Sequence, residues 1–175
     1  MNHAMLSYGK VRLRSLEPED LELLYLWEND PSIWKVSNTL VPFSRFILRQ
    51  YIEESHRDIF ETKQLRLIIE SPEGKAAGAI DLFDFDPYHQ RAGIGILIYD
   101  AGDRRNGLAS DTLYLVCSYA ENTLGLHQLY ANIGVDNPGS RLLFEKAGFQ
   151  VSGTKKDWLR TPDGWVDECI MQKIL

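Results

Sequence analysis

Apolar and polar residues alternate at Val11-Arg12-Leu13-Arg14, the period of a strand half-buried in a sheet. The period then changes. Glu17-Pro18-Glu19-Asp20 places a proline and acids where a helix begins, and Leu21, Leu24, Tyr25 and Glu28 follow at helical spacing, with Leu23, Leu26 and Trp27 widening the apolar face. Asn29-Asp30-Pro31 stops that helix, and Ser44 opens a second one carrying Phe46, Ile47, Gln50, Tyr51 and Glu54. The semi-apolar stretch from Trp34 to Pro42 reads as an irregular loop, either a cover over a site or a packed surface connection. Three strands follow, Leu65 to Glu70, Ala76 to Phe85 and Arg91 to Tyr99, separated by turns at Pro72-Glu73-Gly74 and Asp86-Pro87-Tyr88-His89, which predicts an antiparallel meander. A helix from Gly107 to Leu124 keeps the 3.6-residue period and stops at Gly125. His127 to Val135 is a strand, and Asn137-Pro138 caps a helix through Lys146. Phe149 to Lys155 and Trp165 to Lys173 form a final hairpin around Pro162-Asp163-Gly164. The order is β-α-α-β-β-β-α-β-α-β-β. It contains no repeat or linker, so residues 1–175 read as one domain.

The stretch Arg104-Arg105-Asn106-Gly107-Leu108-Ala109 joins the apolar run Ile94–Tyr99 to the central helix. A strand, a tight polar turn and a helix N-terminus together present unpaired backbone N–H groups and the positive end of a helix dipole. Gly107 and Ala109 let an anion approach the backbone closely, and the two arginines add positive charge.

Composition narrows the partners. At 175 residues, 44% hydrophobic and 25% charged, the chain is long enough for one sizeable core, and its net charge of −6 argues against a broad basic surface for nucleic acid. An acidic balance suits a cationic small partner. Cys117 and Cys169 lie in apolar stretches outside any C-x-x-C arrangement and read as buried free thiols. The first residues, Met1 to Met5, have no apolar core of a signal peptide, Met5 is a second possible start, and no stretch approaches a membrane span, so a reducing cytoplasm is the expected location.

The spacing Arg-x-x-Gly-x-Ala resembles the pyrophosphate-binding signature of the GNAT superfamily of acyl-CoA-dependent N-acetyltransferases. A second block, Asn137-Pro-Gly-Ser140-Arg141-Leu-Leu-Phe-Glu145-Lys146-Ala-Gly148-Phe149, is similar to that of the branch holding ribosomal-protein N-terminal acetyltransferases and spermidine/diamine acetyltransferases. The resemblance covers nearly the whole chain. It implies an α/β (α+β) GNAT fold: a mixed central sheet of about seven strands, opened in a V and flanked by about four helices. It implies acetyl-CoA as cosubstrate with no metal, and an amine acceptor, either a polyamine or a protein N-terminus. Homo-oligomers occur among such relatives. By resemblance Ile96, Leu97 and Ile98 pair their backbone with the pantetheine arm, as an added strand does. Arg104, Arg105, Asn106, Gly107, Leu108, Ala109 and Ser110 hold the pyrophosphate, Asn137 reaches the pantetheine or caps its own helix, and Lys146 lies near the nucleotide.

The implied reaction is attack of a neutral amine on a thioester. The ammonium must lose a proton, the oxyanion needs a donor such as a backbone N–H near Leu97, and the leaving thiolate needs a proton. Here the chain departs from its relatives. Phe144 stands where many carry a tyrosine acid, and Gly93 stands near the place of an occasional glutamate base. Ser140 is the remaining hydroxyl near the sulfur, or else a solvated first-turn residue. Asp81 can orient or deprotonate the amine, or else is a surface strand acid. Glu28, Asp30, Asp81 and Asp84 favour a polyamine, and loss of the tyrosine weakens that case. Phe144 and Gly93 also motivate a rival from another class, a non-catalytic acyl-CoA-binding domain. Gly93-Ile-Gly95 lacks the third glycine of a dinucleotide site, and Asp84, Asp86 and His89 read as a solvated turn rather than metal ligands. His127 reads as structural, and Trp158 and Trp165 as core packing, or else as lining the acceptor site or a subunit contact.

Overall fold

A computed structural model describes residues 6–99, 102, 104 and 106–175. Arg105 and the Met1 to Met5 segment lie outside the described residues. The strands are β1 (Ser7–Tyr8), β2 (Val11–Arg14), β3 (Leu65–Glu70), β4 (Ala76–Asp86), β5 (Arg91–Ile98), β6 (Gln128–Gly134), β7 (Gln150–Thr161) and β8 (Gly164–Ile174). The helices are α1 (Leu21–Glu28), α2 (Pro31–Ser37), α3 (Arg45–Glu54), α4 (Ile59–Thr62), α5 (Leu108–Asn122) and α6 (Pro138–Lys146). One sheet runs in the order β1-β2-β3-β4-β5-β6-β8-β7. Its neighbours are antiparallel except β5 and β6. That parallel pair holds only over Arg91↔Gln128, Ala92↔Leu129 and Gly93↔Tyr130. Beyond Gly93 the two strands part, which is the expected V.

The mixed sheet has eight strands rather than seven, because the short β1 folds back on β2. Among the described residues six helices replace four, for a local reason. Asp30-Pro31 ends α1 and also starts α2: the Asp30 carboxylate accepts the Ser32 amide at 2.8 Å and Pro31 takes the first helical position. Much of the expected irregular loop after Trp34 is therefore helix, ending at Asn38 in the left-handed region. Asp58 caps the single turn of α4 in the same way. Among the described residues no helix is long and apolar enough to cross a membrane.

Two apolar layers fix the sheet. The larger joins Leu113, Val116 and Ala120 of α5 and Phe144 of α6 to Leu67, Ile80, Ile94, Leu129 and Met171 of the strands. The smaller joins Leu24 of α1 and Leu48 and Ile52 of α3 to Ile68. Cys117 and Cys169 are buried free thiols. Trp158 and Trp165 are not core: they are 56% and 61% exposed on the β7–β8 hairpin. The hairpin bends where its register slips between Lys155 and Leu159. The His127 side chain is exposed, and its contribution is a backbone N–H donated to the Gln90 carbonyl at 2.7 Å.

The cross-strand pairs Arg66↔Asp81, Asp81↔Gly95 and Phe83↔Gly93 place these residues on one face. Gly93 has no side chain because the Phe83 ring fills that space: a Cβ there meets Phe83 Cε2 at 2.2 Å. Phe83 in turn sits edge-on to Tyr130 at 6.0 Å. At Gly95 the nearest such neighbour is a Phe83 ring carbon at 3.9 Å, ordinary contact. Gly93→Ala is therefore expected to cost about 1–3 kcal/mol by overpacking, roughly 2–10 °C in Tm, while Gly95→Ala leaves Tm near wild type. Equal melting of the two variants in a thermal scan would contradict the packing account.

Candidate functional site

The parting of β5 from β6 opens a cavity of about 380 Å³. Gly95, Ile96 and Leu97 form one side and Ala131 to Gly134 the other. From Ile94 onward β5 has no ladder partner on the β6 side, so backbone groups face the opening. Asn137, Ser140 and Phe144 of α6 close one end. Glu28, Arg66, Asp81 and Tyr99 close the other, and α2 overhangs through Lys35 to Asn38.

The second end is built around Arg66. Its Nε and Nη2 donate to the two Asp81 oxygens at 2.7 and 2.9 Å, and Nη1 donates to Glu28 Oε1 at 2.5 Å. Burial opposes the guanidinium charge, but Asp81, Tyr51 and Glu28 outweigh it and hold its pKa well above the ordinary value. The guanidinium also stands 5.6 Å over the Tyr51 ring. Tyr99 stacks on Trp27 at 4.1 Å, with the rings 6° from parallel. Burial and then the Glu28 charge push the Tyr99 phenol far up, so it keeps its proton at neutral pH.

The α6 end is different. Asn137 Oδ1 accepts the Ser140 amide at 3.1 Å, the helix-capping role, while the Ser140 side chain is half-buried against the cavity. Phe144 is buried, edge-on to Phe149 at 5.0 Å, and offers no proton. Asp136 bonds Lys35 at 2.8 Å across the mouth. Glu168, buried on β8, pairs with Lys155.

The turn into α5 lies past the end of β5. Gly107 caps the fifteen-residue α5 at φ +86°, with nothing within 4 Å of where a Cβ would be. Arg104 is partly committed: its Nε donates to the Ile98 carbonyl at 3.0 Å, tying the turn to the strand. Asn106 donates to the Gly102 carbonyl at 3.0 Å. Thus the cavity gathers Asp81, Ile96, Leu97, Asn137 and Ser140. Ile98 is buried beneath it, Leu108, Ala109 and Ser110 form the first turn of α5, and Lys146 is exposed at the far end of α6. Sequence reading had no signal for Arg66, Tyr51 or Tyr99. The register Arg66↔Asp81 brings Arg66 to the acids, while Tyr51 comes from α3 and Tyr99 from just past the end of β5.

A model of the acetyltransferase (GNAT) domain family matches residues 10–150. Spermidine N(1)-acetyltransferase of Escherichia coli (strain K12) is 28% identical over 149 residues, covering 85% of this chain and 77% of that protein. The crystal structure of spermidine N-acetyltransferase from Vibrio cholerae in complex with CoA and spermine superposes with a TM-score of 0.85 at 22% identity, covering 95% and 96% of the two chains. A dodecameric structure of the Vibrio cholerae enzyme gives 0.78 at 21% identity over 95% of each chain.

Proposed function

The chain belongs to the GNAT family of acetyltransferases and is an acetyl-CoA-dependent N-acetyltransferase, and from that premise we propose that it acetylates a primary amine of a small acceptor of the polyamine class, bound at the Glu28–Arg66–Asp81 end of the cavity. One observation carries this reading: two carboxylates share a single arginine there, leaving an excess negative charge beside the opening where β5 is unpaired. The spermidine activity of the Escherichia coli relative points the same way. A homo-oligomer is part of the proposal, supported by the dodecameric neighbour. A cytoplasmic location is supported by the two free thiols.

The free edge of β5 at Ile96, Leu97 and Ile98 offers the pantetheine arm a strand to pair with. The open approach at Gly107 and the first α5 turn, Leu108, Ala109 and Ser110, suit the pyrophosphate, with Arg104 and Asn106 beside it. Asn137 sets the start of α6 next to the arm, and Lys146 supplies positive charge for the nucleotide.

Asp81 holds the acceptor ammonium. Both its oxygens already accept from Arg66, and the proton leaves through water. The freed nitrogen attacks the thioester carbon. A Leu97 backbone N–H steadies the oxyanion; as the C–S bond breaks and the amide forms, the nitrogen's second proton passes through water to the departing sulfur, which the Ser140 hydroxyl hydrogen-bonds. Proximity in the ternary complex supplies much of the rate. Ser140→Ala is accordingly expected to lower kcat by roughly a hundredfold with acetyl-CoA affinity unchanged. Wild-type turnover would remove Ser140 from the mechanism.

Thiol release from acetyl-CoA tests the acceptor, across spermidine, spermine, short diamines, amino acids and N-terminal peptides. Turnover confined to the diamines and polyamines is expected. Preference for peptides would overturn the polyamine reading.

A further inference from the structure

Asp81 has a counterpart on the other arm of the V. Asp81 pairs with Gly95 on β5, and Glu168 of β8 pairs with Gly134 on β6. Cross-strand partners share a face, and the register Gly93↔Tyr130 puts Gly95 and Gly134 on the same one, so both acids project from one side of the sheet. Neither glycine sets a side chain in front of its acid. All four residues line the same cavity, one acid at each flank of the opening. The strands carrying the two acids are three spacings apart, about 14 Å in a regular sheet, which two acid side chains and the carbon chain of a diamine or polyamine can bridge.

Charge asks for a second acid. The Glu28–Arg66–Asp81 cluster carries one net negative charge and balances one ammonium. A diamine or polyamine brings at least one more, which is costly to leave unpaired in a cavity. Glu168 has a cation already, Lys155, but the tie is not exclusive. The Lys155 Nζ also lies 3.4 Å from Asn132 Oδ1 and 4.5 Å from the centre of the Trp158 ring. Its side chain is 26% exposed, against 8% for Glu168. Lys155 can therefore leave the carboxylate and keep the indole face and solvent. An ammonium arriving in its place restores the same charge, so the exchange strands neither a buried carboxylate nor a cation.

We propose that Glu168 receives the second ammonium of the acceptor and that Lys155 is the cation it displaces. This rests on the polyamine reading of the cavity and gives the acceptor's next nitrogen its partner. The reacting amine lies at Asp81, the carbon chain crosses the acid face of the opening, and the following nitrogen meets Glu168. Glu168 is then a specificity-determining residue for diamines and polyamines over monoamines, touching the acceptor away from the reacting atoms.

The test is kcat/KM with saturating acetyl-CoA for 1-aminobutane, 1,4-diaminobutane and spermidine, on the wild type, Glu168→Gln and Lys155→Met. Only the first amine lacks a second charge. The wild type is expected to favour diaminobutane over aminobutane by roughly tenfold to a hundredfold, the worth of a hydrogen bond between charged groups. Glu168→Gln keeps the shape and removes the charge, so it should erase most of that ratio by raising KM for diaminobutane and spermidine. Lys155→Met should act in the opposite sense and lower KM for the diamine, because the carboxylate then has no cation to give up. A purely structural ion pair predicts instead that the two variants fail alike. A ratio that survives Glu168→Gln, or a Lys155→Met KM for the diamine above that of wild type, would overturn this inference while leaving polyamine acetylation standing. The wild-type and Glu168→Gln ratios decide the matter even where Lys155→Met is too unstable to assay. A wild-type ratio near one, or no turnover on any amine by protein that binds acetyl-CoA, would overturn both readings.

Discussion

Gly107→Glu is expected to reduce acetyl-CoA affinity by more than about a hundredfold while the protein stays folded. Gly107 caps α5 with a positive φ, and a Cβ added there meets nothing within 4 Å among the described residues. A carboxylate at a helix N-terminus also interacts favourably with the dipole, which protects the fold. The same carboxylate would occupy the approach proposed for the pyrophosphate and repel its charge. Gly107→Ala separates the effects. It carries the left-handed backbone strain, about 1 kcal/mol, without the charge, and should bind acetyl-CoA nearly normally. Calorimetric titration of both variants reads the difference, and a Gly107→Glu protein binding as well as the wild type would sink the pyrophosphate assignment.

The second large effect is on stability. Arg66→Met removes the one cation between Glu28 and Asp81, whose side chains are only 11% and 34% exposed. Two like charges are then left close together and short of solvent, at a cost of about 3–5 kcal/mol. Denaturant melts of Arg66→Met and wild type read the loss directly. Adding Glu28→Gln should restore part of it, because the second carboxylate then no longer faces a like charge. A variant as stable as wild type would mean the cluster contributes little to holding α1 on the sheet.

What could be read from the chain depended on the range of the signal. The meander β3–β4–β5, the Gly125 stop and the Asn137 cap are local, written within a few residues by period, turn chemistry and capping. Asp30-Pro31 is also local but ambiguous, since a proline after a capping acid both stops one helix and starts the next. Phe144 and Gly93 were legible as missing chemistry, but not why: one packs on Phe149 and the other lies under Phe83. Trp158 and Trp165 read as core by residue type, yet β6 pairs with β8 only from Glu168 to Ile174, so the end of the hairpin that carries them extends beyond β6. The Arg66 cluster needed tertiary structure, because its members sit on α1, β3 and β4: strand register pairs Arg66 with Asp81, and the packing of α1 on the sheet brings Glu28 to them.

The V also bears on how the protein avoids sticking to itself. A strand with unpaired amides and carbonyls invites a foreign strand, and sheets usually blunt such borders with charge, bulges or brevity. β1, on one rim, is only two residues long. The unpaired side of β5 has no such defence in its own sequence: Ile94 to Ile98 is an apolar run broken only by Gly95. Its protection is positional. The edge faces inward, under α2 and opposite β6, with the Lys35–Asp136 bridge across the mouth. A strand from a neighbouring molecule meets α2 and β6 before it reaches this edge, so its placement within the slot takes the part that charge or brevity plays elsewhere.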